Sequence, residues 1–150
     1  MIKTMTLPHA VTCFKALGEP IRLRLVCLLA AANDQELCNC ECVDALEEPQ
    51  PNVSRHLKIL TQAGLIQERR DGRWSYYRVT THAPAAVPLM SIIAGLNDPL
   101  VQADRRRLRE RLALRQEGKC VLGVQKRHLL SGAVSEGGEA PRRPQGHPSG

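Results

Sequence analysis

Residues 65–79 read LIQERRDGRWSYYRV, two short β-type runs on either side of an aspartate–glycine pair. The runs cover residues 65–70 and 73–79, and the intervening Asp71-Gly72 pair is typical of a two-residue type I′ hairpin turn. The chain contains four aromatic residues, and three of them lie on the second run: Trp74, Tyr76 and Tyr77. The pattern predicts a small β-hairpin with a basic tip and an apolar second strand.

Helical periodicity flanks this hairpin on both sides. Four helices are predicted before it and two after it, with glycine, proline and aspartate at their ends. The predicted boundaries are Gly18 for the end of the first helix, 20–32 for the second, Asn33 and Asp34 to near Leu46 for the third, Gly64 for the end of the fourth, and Asp98 as the cap of the last. This order predicts a winged helix-turn-helix, a mainly α fold with a small β-hairpin (α+β).

The length and composition fit one folded domain followed by a tail. The 150 residues are 43% hydrophobic and 24% charged, which is typical of a globular chain. Residues 131–150 contain five Gly, three Pro and three Ser without an apolar pattern. We therefore predict a DNA-binding and dimerisation domain over residues 1–118 and a disordered C-terminal tail over residues 119–150.

No stretch of the sequence resembles a membrane span or a secretion signal. The longest apolar run, residues 26–32, is far shorter than a bilayer requires. The first ten residues lack the apolar core of a signal peptide. We therefore expect a cytoplasmic protein with no membrane partner.

Charge is distributed unevenly along the chain. Residues 51–115 carry twelve Lys and Arg against five Asp and Glu, a net charge of +7, whereas residues 1–50 carry a net charge of −3. A basic middle in a chain of pI near 9.3 favours a polyanionic partner. Double-stranded DNA is the partner that a winged helix-turn-helix would bind.

The fourth predicted helix has the features of a DNA-reading helix. Its apolar stripe, formed by Val53, Leu57 and Leu60, faces the core, so the opposite face presents polar and cationic side chains to a major groove. His56 lies about 60° from the stripe, which favours packing over base contact. The predicted DNA-binding residues on this helix and the hairpin are Gln50, Asn52, Ser54, Arg55, His56, Lys58, Arg70 and Arg73.

Three of the six cysteines fall within five residues. Cys38, Cys40 and Cys42 lie on the third predicted helix, and in a reducing compartment such a cluster favours metal binding over disulfides. Soft thiolates prefer soft or borderline ions. On a regular helix Cys40 points about 200° away from Cys38, so we expect the first helical turn to unwind when all three bind one ion.

These pieces together resemble the ArsR/SmtB family of winged-helix metalloregulators. The matching motifs are ALG (16–18) with PIR (20–22), ELCNC (36–40), PNVSRHL (51–57) and WSYYRV (74–79). The resemblance implies a homodimer, built from the first helix and the helix after the wing. It also implies binding to operator DNA, with repression until a thiophilic ion binds.

The ELCxC motif further resembles the inducer site of the family's arsenite and antimonite repressors, which implies As(III) or Sb(III) as inducer. That site typically reads CxCxxC, whereas this chain has CxCxC with Val43 at the expected third position. Cys38 and Cys40 are therefore predicted ligands, with Cys42 as the third and Cys13 or Cys120 as alternatives.

Other ions and other functions remain open at this point. Cd(II) or Pb(II) is an alternative inducer, because Glu36, Glu41 and Asp44 surround the cysteines and favour a cation. The family's zinc site after the wing is not expected, since residues 83–118 contain no histidine. Without CxxC, G-x-S-x-G or H-E-x-x-H motifs, an enzyme is not expected. A thiol-redox-responsive repressor and a structural zinc module are the remaining alternatives.

Overall fold

The computed structural model describes residues 5–32, 35–80 and 86–130. Over these residues the chain forms six α-helices, three β-strands and one short 3-10 turn. The helices are α1 (Leu7–Leu17), α2 (Pro20–Ala31), α3 (Asn39–Leu46), α4 (Gln50–Gln62), α5 (Ala86–Ala94) and α6 (Pro99–Leu112). The strands are β1 (Leu37–Cys38), β2 (Ile66–Asp71) and β3 (Trp74–Val79), and the 3-10 turn covers Arg127–Leu129. The winged helix-turn-helix predicted from the sequence is confirmed.

The sheet has three antiparallel strands in the order β1-β3-β2. Strand β1, which the sequence analysis assigned to a helix, pairs Leu37 with Tyr77 and Cys38 with Tyr76. The third helix consequently starts at Asn39 rather than at Asn33 or Asp34, two residues that lie outside the described part of the chain. This late start sets the geometry of the cysteines.

The predicted turn of the hairpin is displaced by one residue. Asp71 pairs with Trp74, so the two loop residues are Gly72 and Arg73. Gly72 has φ +59 while Arg73 has no positive φ, the pattern of a turn with glycine at its first central position, type II′ rather than the predicted type I′. The displacement places the Arg73 side chain at the tip of the wing, the name used below for the β2–β3 hairpin.

The core is centred on α2, as its apolar composition predicts. Residues 25–29 of this helix are buried, and the stripe Val53, Leu57 and Leu60 of α4 packs into the same core cluster. Helix α6 packs against α2 and α3. Asp98 caps α6 as predicted, with its side chain accepting from the Leu100 amide at 2.8 Å. The burial of the α4 stripe turns the opposite face of that helix outward.

Arginine–aspartate ion pairs attach α6 to α2 and α3. Arg24 of α2 makes two 2.9 Å bonds to Asp104, which also pairs with Arg107. One turn further on, Arg111 pairs with Asp44 of α3 at 2.7 Å. Both members of the Arg111–Asp44 pair are almost fully buried, so α3, which carries Cys40 and Cys42, has a fixed electrostatic partner on α6.

The predicted domain boundary at residue 118 differs from the structure. Residues 119–130, called the C-terminal segment below, turn back after α6 and pack on α3 and the wing, with Cys120 and Leu129 buried. Glycine and proline enrichment begins only after this segment, and the predicted disorder of residues 131–150 concerns residues outside the described part. Among the described residues, no helix has both the length and the apolarity needed to cross a bilayer.

Candidate metalloid site and nucleic-acid interface

The start of α3 brings two of the predicted ligands together. Cys38 is the N-cap of α3, with extended backbone angles (φ −82, ψ 161), and Asn39 is the first helical residue. Because Cys38 lies outside the helix, its thiol and that of Cys40 are not constrained to the 200° separation of a regular helix. The thiols of Cys38 and Cys40 converge without any unwinding of α3, whereas the unwinding expected from the sequence concerns a site that also includes Cys42.

Cys120 completes the cluster from the C-terminal segment. Its Sγ lies 2.9 Å from the Sγ of Cys38 and 3.2 Å from that of Cys40. All three sulfur atoms lie within 4.8 Å of one another, and all three residues are buried. Bonds of about 2.3 Å from sulfur to an ion require this kind of spacing. The three residues are called the thiol triad below.

Cys42, the predicted third ligand, is not part of this triad. It has no exposed surface and packs in the main core with Val43 and Leu46, whereas the triad belongs to a separate cluster around Tyr76. The prediction counted helical positions from Cys38, but the helix starts one residue later. Cys13 and Cys27 also pack in the main core, with sulfur contacts to backbone oxygens at 3.7 and 3.8 Å.

Backbone and side-chain hydrogen bonds hold Cys120 in place. Its amide donates to the Tyr76 hydroxyl at 3.2 Å. Arg111 donates to the carbonyl oxygens of Leu122 and Gly123 at 2.7 and 3.1 Å. Asp44 accepts from the next amides along the segment, those of Gln125 and Lys126, at 3.0 to 3.2 Å. The buried Arg111–Asp44 pair therefore fixes the segment that supplies the third thiol.

The acidic residues around the triad are all paired with arginines. The Glu41 carboxylate, fully buried, accepts from Arg115 at 2.6 and 2.7 Å and from the Cys38 amide at 2.8 Å. Asp44 pairs with Arg111, and Glu36 pairs with Arg69 at 3.0 Å. Each of the three acids on which the cation alternative was based is therefore paired with an arginine that is distant in the sequence.

Burial and mutual contact make two of the three thiols poor acids before an ion binds. The adjacent Cys40 thiol and burial hold the pKa of Cys38 far above its ordinary value. Burial, together with Cys38, raises the pKa of Cys120 to about 11. Cys38 and Cys120 are therefore neutral thiols that lie among paired charges.

The outward face of α4 carries most of the residues predicted to bind DNA. Ser54, Arg55 and Lys58 are exposed, and Gln50 and Asn52 are partly exposed near the N-terminus of the helix. His56 differs: it is only 6% exposed, and its Nδ1 lies 3.1 Å from Nη1 of Arg22. Its place in the DNA-binding set is therefore incorrect, because it is buried against α2, as its angular position favoured.

The wing presents Arg70 and Arg73 beside this helix. The side chain of Arg70 is largely exposed, and Arg73 lies over the Trp74 ring at 4.6 Å. An open groove separates the wing from the N-terminal turn of α4. Its lining includes Gln50, Ser54, Arg70, Arg73, Cys40 and Gly123. One wall of this groove is thus formed by Cys40 of the thiol triad and by the C-terminal segment.

An outward helix beside a basic wing, with the thiol triad next to them, is typical of a winged-helix transcription regulator. Residues 19–68 match the family model described as "Bacterial regulatory protein, arsR family". The chain is 40% identical over 98 residues to the arsenic resistance transcriptional regulator ArsR1 of Pseudomonas putida, covering 65% of this chain and 75% of that protein. The protein belongs to the ArsR family.

Other relatives show the breadth of this family. The chain is 43% identical over 72 residues to the arsenical resistance operon repressor of Escherichia coli strain K12, covering 48% of this chain and 60% of that repressor. It is 41% identical over 86 residues to the SmtB repressor of Mycobacterium tuberculosis, covering 57% and 62% of the two chains. These relatives are transcription regulators and not enzymes.

A solved structure supports the same fold. The HlyU protein of Vibrio cholerae N16961 superimposes with a TM-score of 0.51 at 27% sequence identity, covering 57% of this chain and 88% of that one. The match covers little more than half of this chain, so the comparison supports the winged helix and not the full chain.

Proposed function

We propose that the protein is a metalloid-responsive transcriptional repressor. It binds operator DNA as a homodimer in the cytoplasm and is released when As(III) or Sb(III) binds Cys38, Cys40 and Cys120. The observation that carries this proposal is the thiol triad, three buried sulfurs within 4.8 Å of one another, placed at the start of the helix that precedes α4. Two relatives with arsenic resistance in their names support the choice of ion.

The charge around the triad favours a trivalent metalloid over a divalent cation. Three thiolates and one As(III) form a neutral group, whereas three thiolates and one Cd(II), Pb(II) or Zn(II) form a group of charge −1. A buried net charge is costly unless it is paired, and the nearby arginines are already paired with Glu41 and Asp44. The neutral group therefore fits this site better.

The proton balance favours the same ion. Arsenous acid reacts with three neutral thiols to form three As–S bonds and three water molecules, so its own hydroxyl groups take up the thiol protons. A divalent cation brings no group that takes up thiol protons, so its binding must release to solvent the protons that burial helps Cys38 and Cys120 to keep. The relatives named SmtB keep a divalent cation as the alternative inducer to test.

Ion binding would act on DNA through two neighbours of the triad. Cys40 is followed by the rest of α3, which packs on α4, and Cys120 is followed by the segment that lines the groove beside Ser54 and Arg73. An ion that draws three sulfurs around itself shifts both elements relative to the DNA-reading face. Shifts of this kind change operator affinity without contact between ion and DNA.

The dimer is supported by two apolar faces left uncovered in the single chain. Phe14 on α1 is 65% exposed and Ile92 on α5 is 72% exposed, and Leu7 and Val11 extend the face of α1. Exposed apolar groups of this size mark an interaction surface. A second copy packed on α1 and α5 would also place two α4 helices on half-sites about 34 Å apart.

A redox response is the second candidate, favoured by the 2.9 Å separation between the sulfurs of Cys38 and Cys120. Hydrogen peroxide would oxidise the two thiols to a disulfide and be reduced to two water molecules. The raised pKa values of both thiols and their burial oppose this reaction, because thiolates and not thiols attack peroxide.

Fluorescence anisotropy on the upstream DNA of the gene tests the proposal directly. The fully reduced protein is titrated in parallel with arsenite, antimonite, Cd(II), Zn(II) and hydrogen peroxide. We expect release by arsenite and antimonite near one equivalent per site. Release by Cd(II) alone would replace the metalloid with a divalent cation, and release by peroxide alone would replace it with the redox response. Tight DNA binding that none of these relieves would overturn the proposed inducers.

A further inference from the structure

Asn39 lies between the first two cysteines of the triad and contacts the DNA-reading helix. It is the first residue of α3, directly between Cys38 and Cys40. Its side-chain amide donates to the Ser54 hydroxyl oxygen on α4, with 3.0 Å between Nδ2 and Oγ. A single side chain therefore connects the backbone of the ion site with a residue of the proposed DNA surface.

The direction of this hydrogen bond determines what Ser54 offers to DNA. An amide N–H donates, so the Ser54 oxygen accepts and its own proton points elsewhere. Ser54 is exposed at the N-terminal part of α4 and lines the groove beside Arg70 and Arg73. Its hydroxyl proton is consequently available to an acceptor on DNA, either a phosphate oxygen or a base edge.

The other end of the same amide is poorly satisfied. Asn39 Oδ1 is buried and has no hydrogen-bond partner within the described part of the chain. Burial raises the pKa of Tyr77 to about 12, and a hydrogen bond between the Tyr77 and Asn39 side chains acts in the opposite direction. A buried acceptor without a partner is an unfavourable arrangement that a small rotation of the side chain can relieve. The Asn39 side chain is thus fixed through its amide nitrogen and not through its amide oxygen.

We infer that Asn39 is a positioning residue that couples the thiol triad to α4 through its bond to Ser54. This inference rests on the proposed function. In the ion-free protein, Asn39 orients the Ser54 hydroxyl as a donor to operator DNA. When the sulfurs of Cys38 and Cys40 move onto an ion, the residue between them rotates, the bond to Ser54 breaks, and Ser54 loses its fixed orientation.

A double-mutant cycle on operator binding tests the first half of the inference. The proteins are wild type, Asn39→Ala, Ser54→Ala and the double variant, all ion-free and reduced. A neutral hydrogen bond corresponds to roughly a fivefold effect, so we expect each single variant to bind operator about fivefold more weakly. The double variant is expected to bind no more weakly than Ser54→Ala. Losses that multiply in the double variant would overturn the inference.

Arsenite titration of the same proteins tests the second half. The ratio of operator Kd with and without arsenite is expected to fall about fivefold in Asn39→Ala, because the variant has already lost the bond that arsenite breaks. The affinity for arsenite in the absence of DNA, followed by the absorbance of the arsenic–thiolate bonds, is expected to stay within about twofold of wild type. An unchanged Kd ratio would overturn the coupling role.

Two controls separate this role from a general structural one. A double-mutant cycle between Asn39→Ala and Lys58→Ala is expected to be additive. Lys58 is an exposed residue of α4, the helix that carries Ser54, and Asn39 makes its hydrogen bond to Ser54 and not to Lys58. Asn39→Asp turns the donor into an acceptor and is expected to weaken operator binding more than Asn39→Ala. In the Ser54→Ala background, any remaining difference between Asp and Ala at this position measures charge repulsion alone.

The outcomes also distinguish this inference from the proposed function. If wild-type protein is not released by arsenite, the proposed inducer is overturned and the coupling role with it. If wild-type protein is released and Asn39→Ala is released by the same factor, the proposed function stands and the inference about Asn39 is overturned.

Discussion

The sulfur atoms of Cys38 and Cys120 lie 2.9 Å apart although 82 positions separate the two residues in the chain. Cys38 is fixed by the sheet and by the hydrogen bond that its backbone amide donates to Glu41. Cys120 is fixed by its hydrogen bond to Tyr76 and by the C-terminal segment, which is hydrogen-bonded to Arg111 and Asp44. An ion bound between these sulfurs would tie the C-terminal segment to the start of α3. Ligand binding and the position of the C-terminal segment are therefore parts of one equilibrium.

Removing the thiol of Cys120 is expected to abolish induction without affecting repression. Cys120→Ser should bind operator like wild type, because Cys120 does not lie on α4 or the wing. Its arsenite-induced change in operator Kd should fall to a ratio of about one, as in Cys38→Ser and Cys40→Ser. Cys42→Ala is the matched control and should remain inducible. If Cys42→Ala loses induction by arsenite and Cys120→Ser keeps it, the ligand set is the one predicted from the sequence.

Breaking the buried Arg111–Asp44 pair is expected to destabilise the protein and loosen the C-terminal segment. Asp44→Asn should lower the free energy of unfolding by about 3–5 kcal/mol, since it leaves a buried guanidinium without its counterion. Arg69→Ala, which removes the exposed pair with Glu36, should lower the free energy of unfolding far less, because solvent screens that pair. Urea denaturation measures both, and equal losses in the two variants would contradict the assigned role of burial.

Arg55 and Arg73 are expected to contribute to DNA binding in different ways. Arg55→Ala should cost about 1–3 kcal/mol on operator and much less on random DNA, as expected for a base contact from α4. Arg73→Ala at the wing tip should weaken both complexes alike and reduce the salt slope by about one. Anisotropy over a range of salt concentrations separates the two, with exposed Arg109→Ala of α6 as control. If Arg55→Ala weakens binding to operator and to random DNA equally, Arg55 contacts a phosphate rather than a base.

Acidification is expected to destabilise the protein through His56. Burial lowers the pKa of His56, with further lowering from Arg22 and Arg55 and opposition from Glu19 and Glu48. The neutral ring is favoured by folding, so its contribution is present above the unfolded pKa of about 6.5 and is lost as the pH falls below it. Urea midpoints at pH 7 and pH 5 should show a smaller decrease for His56→Gln than for wild type. The exposed His9→Gln variant should behave like wild type, and no difference at His56 would contradict the argument.

Introducing a charge on the exposed face of α1 is expected to dissociate the proposed homodimer. Phe14→Asp places a carboxylate in the apolar face shared with Leu7 and Val11, without disturbing the buried side of the helix. Sedimentation velocity should show a monomer at concentrations where wild type is a dimer, and operator affinity should fall. Lys15→Asp, exposed on the same helix, serves as the charge control. A Phe14→Asp dimer would exclude α1 from the interface.

The sequence predicts the fold because its determinants are local. The apolar stripe of α4, the caps of α6 and the glycine of the wing each lie within a few residues of the element they specify. Errors arise where two local preferences compete, as at Gly72, where a shift of one residue changes the turn type. The start of α3 is missed because residues 37 and 38 pair with β3, a contact with residues about 40 positions away that no local pattern records.

The site is predicted only in part for the same reason. Cys38 and Cys40 follow from their spacing, but Cys120 has no local signal beyond being a cysteine near the predicted domain end. The pairing of the acids is missed because Arg111 of α6 and Arg115, three residues after the end of α6, reach Asp44 and Glu41 across about 70 positions of the chain.

The C-terminal segment has a genetic consequence. Its cysteine lies outside the helix and the hairpin that read DNA, so mutations that change the inducer and mutations that change the operator fall in different parts of the gene. Under the proposed function, a substitution at Cys120 changes the response to the inducer while the exposed residues of α4 stay the same, and a substitution on the exposed face of α4 does the reverse. A lineage can therefore acquire a new inducer for an existing set of promoters in a few steps.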